Sequence, residues 1–582
     1  MAKFLMLGNE AVARGAFEAG ATVAAAYPGT PSTEIAENLA AYDNIYAEWS
    51  PNEKVALEVA IGASIAGARS ICSMKHVGLN VAADPLFTAS YTGVNGGLVI
   101  AVADDPGMHS SQNEQDSRLY AKAAKAPMLE PADSQECKDY TVKAFEISEK
   151  FDCPVILRLT TRISHSRSIV EIFDKKPFIL KDYVKNVQKY VMVPSMARKR
   201  HIEVEKRILL LQEYAETAEL NSIEWKSRDI GIIASGIAYQ YAKEAFADAS
   251  FLKLGMIFPM PRKMIEEFAA GVKKLYVVEE LEPYIEEHVK TLGIRAEGKK
   301  YLPNIGELSS SLIKERILGI KSLGSQKQIP HIPDRPPVMC PGCPHRGIFY
   351  VLKRLKLIVS GDIGCYTLGA LPPLESMDTC ICMGASVSAA HGMEKARGKD
   401  FVKKLVAVIG DSTFIHSGIT PLIDIVYNQG NSTVIILDNL TTGMTGHQHN
   451  PCTGFNLKNE LAPTINLEKL AASIGIERVR VVDPFEISEC EEAIKAEINA
   501  DQPSVIISRR ACALLKNKKA DAEAKKYFIE KERCKNCRMC LGLGCPAIVS
   551  QENFPIINAS ICAGCGLCAK LCKFGAITEK PV

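Results

Sequence analysis

The sequence predicts an α/β protein of several domains, with parallel sheets flanked by helices and a small cysteine-rich α+β module at the end. Three observations predict it. Short apolar runs alternate with helical patterns along most of the 582 residues, which is how parallel sheets with crossover helices are written. At about 150 residues per domain, that length suggests roughly four domains. Of the 19 cysteines, eight crowd between Cys534 and Cys572. The composition, 47% hydrophobic and 23% charged, excludes a mainly disordered chain and a disulfide mini-protein. Lysine and arginine exceed aspartate and glutamate by 69 − 67 = +2, so no strong charge points to nucleic acid or a membrane surface. No run of about 18 apolar residues suggests a transmembrane helix. The opening Met1–Leu7 is too short for a signal-peptide core and reads as a first strand. A cytoplasmic location is expected, where clustered cysteines mean metal sooner than disulfide.

Residues 1–180 form the first expected domain, with strands at Ala21–Tyr27, Gly97–Val102 and Pro154–Leu159 and a small-residue helix at Val55–Ala68. Residues 181–325 begin with a charged helical connector containing Arg198-Lys199-Arg200-His201, read as a solvated helix face. An α/β unit follows, with strands Ile230–Ser235 and Leu275–Val278. A proline-containing linker at about 321–337 leads to a third α/β domain, residues 326–515. Lys516–Glu532 reads as a charged connector into the last domain, residues 516–582.

That last domain carries two cysteine runs. One is Cys534-x2-Cys537-x2-Cys540-x4-Cys545-Pro546; the other is Cys562-x2-Cys565-x2-Cys568-x3-Cys572. Three thiolates at this spacing wrap one face of an iron–sulfur cube, and the fourth comes from the other run. Cluster one therefore takes Cys534, Cys537, Cys540 and Cys572. Cluster two takes Cys562, Cys565, Cys568 and Cys545. Paired zinc knuckles are the alternative, but zinc needs no third cysteine in each run. The pattern resembles two-cluster bacterial ferredoxins, with one residue more than usual before Cys545. Such clusters move single electrons.

In the third domain, strand Leu405–Ile409 ends in Gly410-Asp411-Ser412, and strand Ser432–Leu437 ends in Asp438-Asn439. Parallel strands deliver Asp411 and Asn439 to one carboxyl edge, where ligands bind in such folds. The Asp411 carboxylate, the Asn439 side-chain oxygen and the Thr441 carbonyl suit Mg²⁺, completed by phosphate oxygens. Free N–H groups after Gly410 suit a diphosphate. The spacing of 28 residues resembles the thiamine-diphosphate motif, although Ser412 stands where glycine is usual. The small-residue turn Cys382-Met383-Gly384-Ala385 resembles the one beside the diphosphate in that family. The implied folds are thiamine-diphosphate-binding domains.

Such enzymes also need a glutamate on ring N1′ of the aminopyrimidine, which activates the cofactor. Glu53 lies nine residues before Gly62, at the head of a small-residue helix; Glu58 is the competitor, and a plain helix-start carboxylate the bland reading. With these residues in view, the whole chain resembles 2-oxoacid:ferredoxin oxidoreductases. The resemblance rests on Gly8-Asn9-Glu10-Ala11 and Tyr27-Pro28-Gly29-Thr30-Pro31-Ser32-Thr33. Lys75-His76-Val77-Gly78-Leu79-Asn80, Ser360-Gly361-Asp362-Ile363-Gly364-Cys365-Tyr366 and Thr441-Thr442-Gly443-Met444-Thr445-Gly446-His447-Gln448 are similar to the arylpyruvate branch. The resemblance implies that Thr30 touches the 2-oxoacid. His76 is a proton shuttle, a substrate contact or a structural histidine. Met444 is packing, or an aryl-friendly wall at the cofactor.

The resemblance also implies a third cluster near thiamine. Cys340-Pro341-Gly342-Cys343 by itself suits zinc, a redox pair or a cluster. With Cys365 and Cys512 it fits the superfamily's third [4Fe-4S] site, against free buried cysteines as the alternative. Cys380 and Cys382 are spare candidates, and Cys72, Cys137, Cys153, Cys452 and Cys490 read as packing. The implied reaction is oxidative decarboxylation of arylpyruvates, taking indolepyruvate, coenzyme A and oxidised ferredoxin to indoleacetyl-CoA, CO₂ and reduced ferredoxin. A smaller beta subunit in an α2β2 assembly is implied with it. The same chemistry on pyruvate or branched 2-oxoacids, a non-oxidative thiamine decarboxylase and an electron-transfer subunit without catalysis are the rivals.

Overall fold

The structure is a computed structural model and describes residues 2–175, 177–321, 336–515 and 525–580. The chain folds as two compact units, 1–329 and 330–582. The finer division at 180, 325 and 515 is a proposal. Most of the expected linker at 321–337, and residues 516–524 of the expected connector, lie outside the described residues.

The first unit opens with β1 (Ala2–Leu7), β2 (Val23–Ala26), β3 (Tyr46–Trp49), β4 (Ser70–Lys75), β5 (Leu98–Asp104), β6 (Met128–Leu129), β7 (Val155–Thr160) and β8 (Arg167–Ile172). It continues with β9 (Ser222–Glu224), β10 (Ser227–Ser235), β11 (Ala249–Leu254), β12 (Met256–Phe258) and β13 (Lys274–Val278). The main sheet runs β12-β6-β7-β5-β4-β2-β3 and is parallel except for β12. β4, β5 and β7 are buried along their whole length, as strands covered by helices on both faces must be. The opening run is a strand, yet it stays off this sheet. β1 pairs antiparallel with β8 and leaves its first four residues exposed.

The second sheet runs β13-β10-β11-β9. Its residues share one hydrophobic core with the main sheet: Ile233, Leu252 and Val277 pack in the same cluster as Ile100 and Val102. One buried arginine crosses the join, and a second ties strand ends of the main sheet itself. Arg118 reaches Asp116 and, at 2.6 Å, Glu279. Arg158 reaches Asp104 at 2.7 Å and Glu130 at 2.5 Å. Removing one member would leave an uncompensated buried charge. The long helix Pro194–Thr217 is not simply a solvated face. Arg200 bonds the Tyr91 carbonyl and Asp152, and buried Arg207 bonds the Ser90 carbonyl, while Arg198, Lys199 and His201 stay exposed.

The second unit holds β14 (Ile358–Gly361), β15 (Thr379–Cys380), β16 (Leu405–Gly410), β17 (Thr433–Asp438), β18 (Arg478–Val482) and β19 (Ser504–Arg509). They form a fully parallel sheet in the order β15-β14-β16-β17-β19-β18. The cysteine-rich end adds β20 (Lys526–Ile529), β21 (Ile548–Gln551), β22 (Phe554–Ile557) and β23 (Ile577–Lys580), paired as β20-β23 and β21-β22. Two expectations change here. Part of the expected connector is strand β20, because Lys-Tyr-Phe-Ile offers aromatic and β-branched side chains to β23. The cysteine module is also not a separate body. Leu543, Leu567, Leu571 and Ile577 share a core with Ile348, Phe349 and Leu352 of the helix His345–Leu355.

Candidate cofactor and iron–sulfur sites

In the second unit, β16 and β17 run parallel with Gly410 opposite Leu437. Asp411 and Asn439 therefore leave the sheet at the same edge, and both are buried, as is Thr441. The Asn439 side-chain oxygen lies 2.8 Å from the Thr441 carbonyl and 3.2 Å from Asp411 Oδ1. An NH₂ turned into that position would donate to both. With the oxygen inward, three oxygens converge at the spacing of neighbouring ligands in a Mg²⁺ octahedron, about 3.0 Å for bonds of about 2.1 Å. Burial, and then the neighbouring Asp438, push the Asp411 carboxyl up to about 7. Asp438 Oδ2 accepts from Arg509 at 2.7 Å, but its buried Oδ1 has no partner. Of these two buried carboxylates only Asp438 meets a guanidinium among the described residues, that of Arg509, which it shares with Glu468, so the donor set is short of positive charge and a divalent cation fits it.

Ser412 is buried where a glycine is usual. It is not among the residues of positive φ, so a side chain costs nothing there. Its hydroxyl accepts from Thr442 at 3.0 Å. The Met383–Gly384 turn does need its glycine. Gly384 has φ 86°, and a Cβ would come 2.5 Å from the Ser417 carbonyl. Asp362 holds this turn by accepting from Gly384 N at 3.0 Å and Ser386 N at 2.9 Å. Met383 is half-buried, and Met444 is exposed on the loop after β17.

In the first unit, Glu53 opens the helix Glu53–Ile65 behind its cap Asn52, whose side chain accepts from Val55 N at 2.9 Å. Glu53 is buried, and its carboxylate lies against Gly78. Glu58 is exposed and paired with Lys54, so only Glu53 is withdrawn from water. Thr30 follows β2, and its carbonyl accepts from the Ser110 hydroxyl at 3.0 Å. His76 is buried at the end of β4, with Nε2 3.2 Å from the Asn113 carbonyl. Burial holds its pKa below the usual range. The ring is therefore neutral, with the proton on Nε2 and an acceptor lone pair at the buried, unpartnered Nδ1.

The cysteines group as the spacing predicts. Cys545, Cys562, Cys565 and Cys568 line one cavity. Cys534, Cys537, Cys540 and Cys572 line another. Among the described residues no three His, Cys, Asp or Glu side chains are drawn together as a single metal ion requires; each quartet instead encloses a space. Members of the third expected set are neighbours. The Cys365 thiol is pushed up by burial and by neighbouring Cys512 and Cys340. Cys343 is pushed up to about 12 by burial, with Cys340 and Cys365 adding to it. Cys380 and Cys382 are exposed, while Cys72, Cys137, Cys153 and Cys490 are buried and Cys452 is half-buried.

Comparisons with known proteins agree with this layout. The model of the C-terminal TPP-binding domain of thiamine pyrophosphate enzymes matches residues 362–508. That of the pyruvate flavodoxin/ferredoxin oxidoreductase thiamine diphosphate-binding domain matches 14–225. A 4Fe-4S binding domain matches 555–578. The indolepyruvate oxidoreductase subunit IorA of Archaeoglobus fulgidus is 43% identical, over 99% of this chain and 97% of its own length. The chain belongs to the IorA family of indolepyruvate oxidoreductase subunits. The IorA subunit of Pyrococcus horikoshii is 42% identical over the same shares. A 2-oxoglutarate:ferredoxin oxidoreductase from Magnetococcus marinus aligns over 55% of this chain and 65% of its own, at 18% identity and a TM-score of 0.47.

As an IorA-family member, the chain is an oxidoreductase that uses thiamine diphosphate and iron–sulfur clusters. Sequence reasoning gave no role to several residues that shape these sites. Asp362 follows β14 as Asp411 follows β16, and the rule for strand-end carboxylates would have found it. Asn450 donates to Asp411 Oδ2 at 3.4 Å. Tyr366 accepts from Gly410 N at 2.9 Å. Buried Arg346 donates to the Leu543 carbonyl at 2.9 Å and to the Cys340 carbonyl at 3.3 Å. No spacing marks these three, because their partners are distant in sequence.

Proposed function

We propose that the chain catalyses the oxidative decarboxylation of arylpyruvates, with indolepyruvate as the leading substrate. One observation carries the reading: Cys365 stands at the loop of Asn439 and Thr441, and the Cys340–Cys343 turn stands at Cys565 of the terminal module. A Cβ on Gly443, in the loop of Asn439 and Thr441, would lie 3.5 Å from Cys365 Sγ. A Cβ on Gly342, between Cys340 and Cys343, would lie 3.6 Å from the Cys565 Cβ. Such a chain of single-electron carriers serves a reaction that oxidises its substrate; a non-oxidative decarboxylase has no use for it.

Bound thiamine diphosphate supplies the electron sink for decarboxylation. Asp411, Asn439 and Thr441 would hold Mg²⁺, which would supply the counter-charge for the diphosphate. Glu53 holds or releases a proton at the aminopyrimidine nitrogen, and its burial shields that exchange from water. Thr30 and His76 face the 2-oxoacid. Cys340, Cys343, Cys365 and Cys512 and the two terminal quartets would hold three [4Fe-4S] clusters, which would supply single-electron transfer. The balance is one 2-oxoacid, one coenzyme A thiol and two oxidised ferredoxins giving acyl-CoA, CO₂, a proton and two reduced ferredoxins. The name of the relatives supports indolepyruvate as the acid. A smaller beta subunit, an α2β2 assembly and a cytoplasmic site belong to the same proposal. Among the described residues no helix is long and apolar enough to cross a membrane.

The test is anaerobic ferredoxin reduction by the chain with its beta partner, thiamine diphosphate, Mg²⁺ and coenzyme A. Reduction that needs coenzyme A and favours indolepyruvate is expected. Reduction with pyruvate alone would keep the chemistry and overturn the substrate. Free aldehyde without reduced ferredoxin would establish the non-oxidative reading instead.

A further inference from the structure

We propose that Lys75 is the cation that binds the carboxylate of the 2-oxoacid, a role that rests on the reading above. Lys75 is the last residue of β4, so it stands at the carboxyl edge of the first unit's sheet. The segments after β2, β3 and β5 leave the same edge, carrying Thr30, Glu53 and Ser110. The Lys75 stem lies across Gly29: a Cβ there would meet Lys75 Cγ and Cδ at 3.3 Å. Gly29 thus gives the side chain its passage, and the ammonium is carried to the Thr30 segment. Ser110 ties the two together, accepting from Lys75 Nζ at its carbonyl, 3.0 Å away, and donating its hydroxyl to the Thr30 carbonyl.

What marks the group is that, among the described residues, it has no direct ionic partner. Lys75 is only 8% exposed. An ammonium has three donors, and among the described residues Lys75 spends one, on Ser110. Among the described residues it forms no ion pair. Asp105 and Glu53 act on it only through space, and Asp105 accepts instead from Ser110 N at 2.9 Å, Ser111 Oγ at 2.6 Å and Thr161 Oγ1 at 2.7 Å. A buried ammonium with no direct anionic partner is costly, and a ligand carboxylate would offset that cost. Burial brings its pKa down to about 8, with Asp105 and Glu53 opposing the fall. The next residue points the same way: the buried His76 Nδ1 has no partner. Two consecutive residues, one cationic and one neutral, thus keep an open polar atom, and Lys75 does so beside the Thr30 segment. A 2-oxoacid offers a carboxylate to the first and a reacting carbonyl close to it.

The test uses the chain with its beta subunit. Lys75→Met is expected to raise KM for the 2-oxoacid roughly a hundredfold, while Lys75→Arg, which keeps the charge, stays within about tenfold. The dissociation constant for thiamine diphosphate, read by fluorescence quenching without turnover, is expected to be unchanged in both. The melting temperature of Lys75→Met is expected to hold or rise, because a buried charge has gone. Three results would overturn the proposal. An unchanged KM excludes substrate contact. Weakened thiamine diphosphate binding makes Lys75 a cofactor residue. A lowered melting temperature in both variants, without a KM change in Lys75→Arg, makes it structural. Every 2-oxoacid has the carboxylate, so the test holds on whichever acid is turned over, and failure of the aryl reading leaves it standing.

Discussion

Gly78→Ala is a substitution of one methyl group whose effect follows from a single contact. Gly78 sits in the helix His76–Val81 and is not at positive φ. By helix propensity alone, alanine should stabilise it by about 1 kcal/mol. The Glu53 side chain opposes this. A Cβ on Gly78 would lie 2.7 Å from both Cγ and Oε1 of Glu53 and 2.9 Å from Cδ. Ordinary carbon contacts are about 3.5–4.0 Å, so the overlap is on the order of 1 Å. The Glu53 backbone is pinned at a capped helix start, and its side chain must give. Overpacking of this kind costs about 1–3 kcal/mol, so the net stability change should be small. Activity should not be spared, since a displacement of about 1 Å at a catalytic group costs roughly a hundredfold. The assay is kcat for ferredoxin reduction at saturating thiamine diphosphate, beside a thermal melt. In a Glu53→Gln background the same substitution should cost little more, because the two act through one group. Wild-type turnover in Gly78→Ala would refute the reasoning. So would a full further loss on top of Glu53→Gln, which would show that the methyl acts elsewhere.

Other substitutions probe the remaining sites. Asp411→Ala should weaken thiamine diphosphate binding by about 10–100-fold in an equilibrium titration with Mg²⁺, while iron content and visible absorbance stay at wild-type levels. Cys545→Ala should lose one cluster, about four iron atoms per chain, in an anaerobic iron assay; Cys490→Ala should lose none, since Cys490 packs in the core with its thiol on the Asp483 carbonyl. Glu280 should act on stability through pH. Burial pushes its carboxyl up to about 7, while the unfolded chain releases that proton near the usual value. Stability should therefore fall as pH rises from about 4.5 to 7 and level off above, by about 3 kcal/mol in all. Glu280→Gln, whose amide oxygen can still accept from Leu308 N, should flatten that decline in melts taken across pH 5–8; an unchanged slope would clear Glu280 of the effect.

The sequence by itself determined whatever is local. The strands at Ala21–Tyr27, Gly97–Val102 and Leu405–Ile409 were legible because buried parallel strands are short apolar runs between breakers. The two terminal quartets were legible, including the exchange of Cys545 and Cys572, because a cube's three-plus-one ligation imposes its own spacing. Asp411 and Asn439 could be placed together because strand ends of a parallel sheet share an edge. What only the tertiary structure decided depends on partners far apart in the chain. The sequence could name Glu53 over Glu58, but only folding shows one buried against Gly78 and the other in solvent with Lys54. The grouping of the Cys340–Cys343 turn with Cys365 and Cys512 needs three segments that are distant in sequence. The shared core of the cysteine module and the parallel-sheet domain has no spacing to announce it, because apolar side chains record that they are buried and not against what. Lys75 is the sharpest case: the sequence offers it only as part of a family-like segment, and its burial, its passage over Gly29 and its lack of an ion pair among the described residues set it apart.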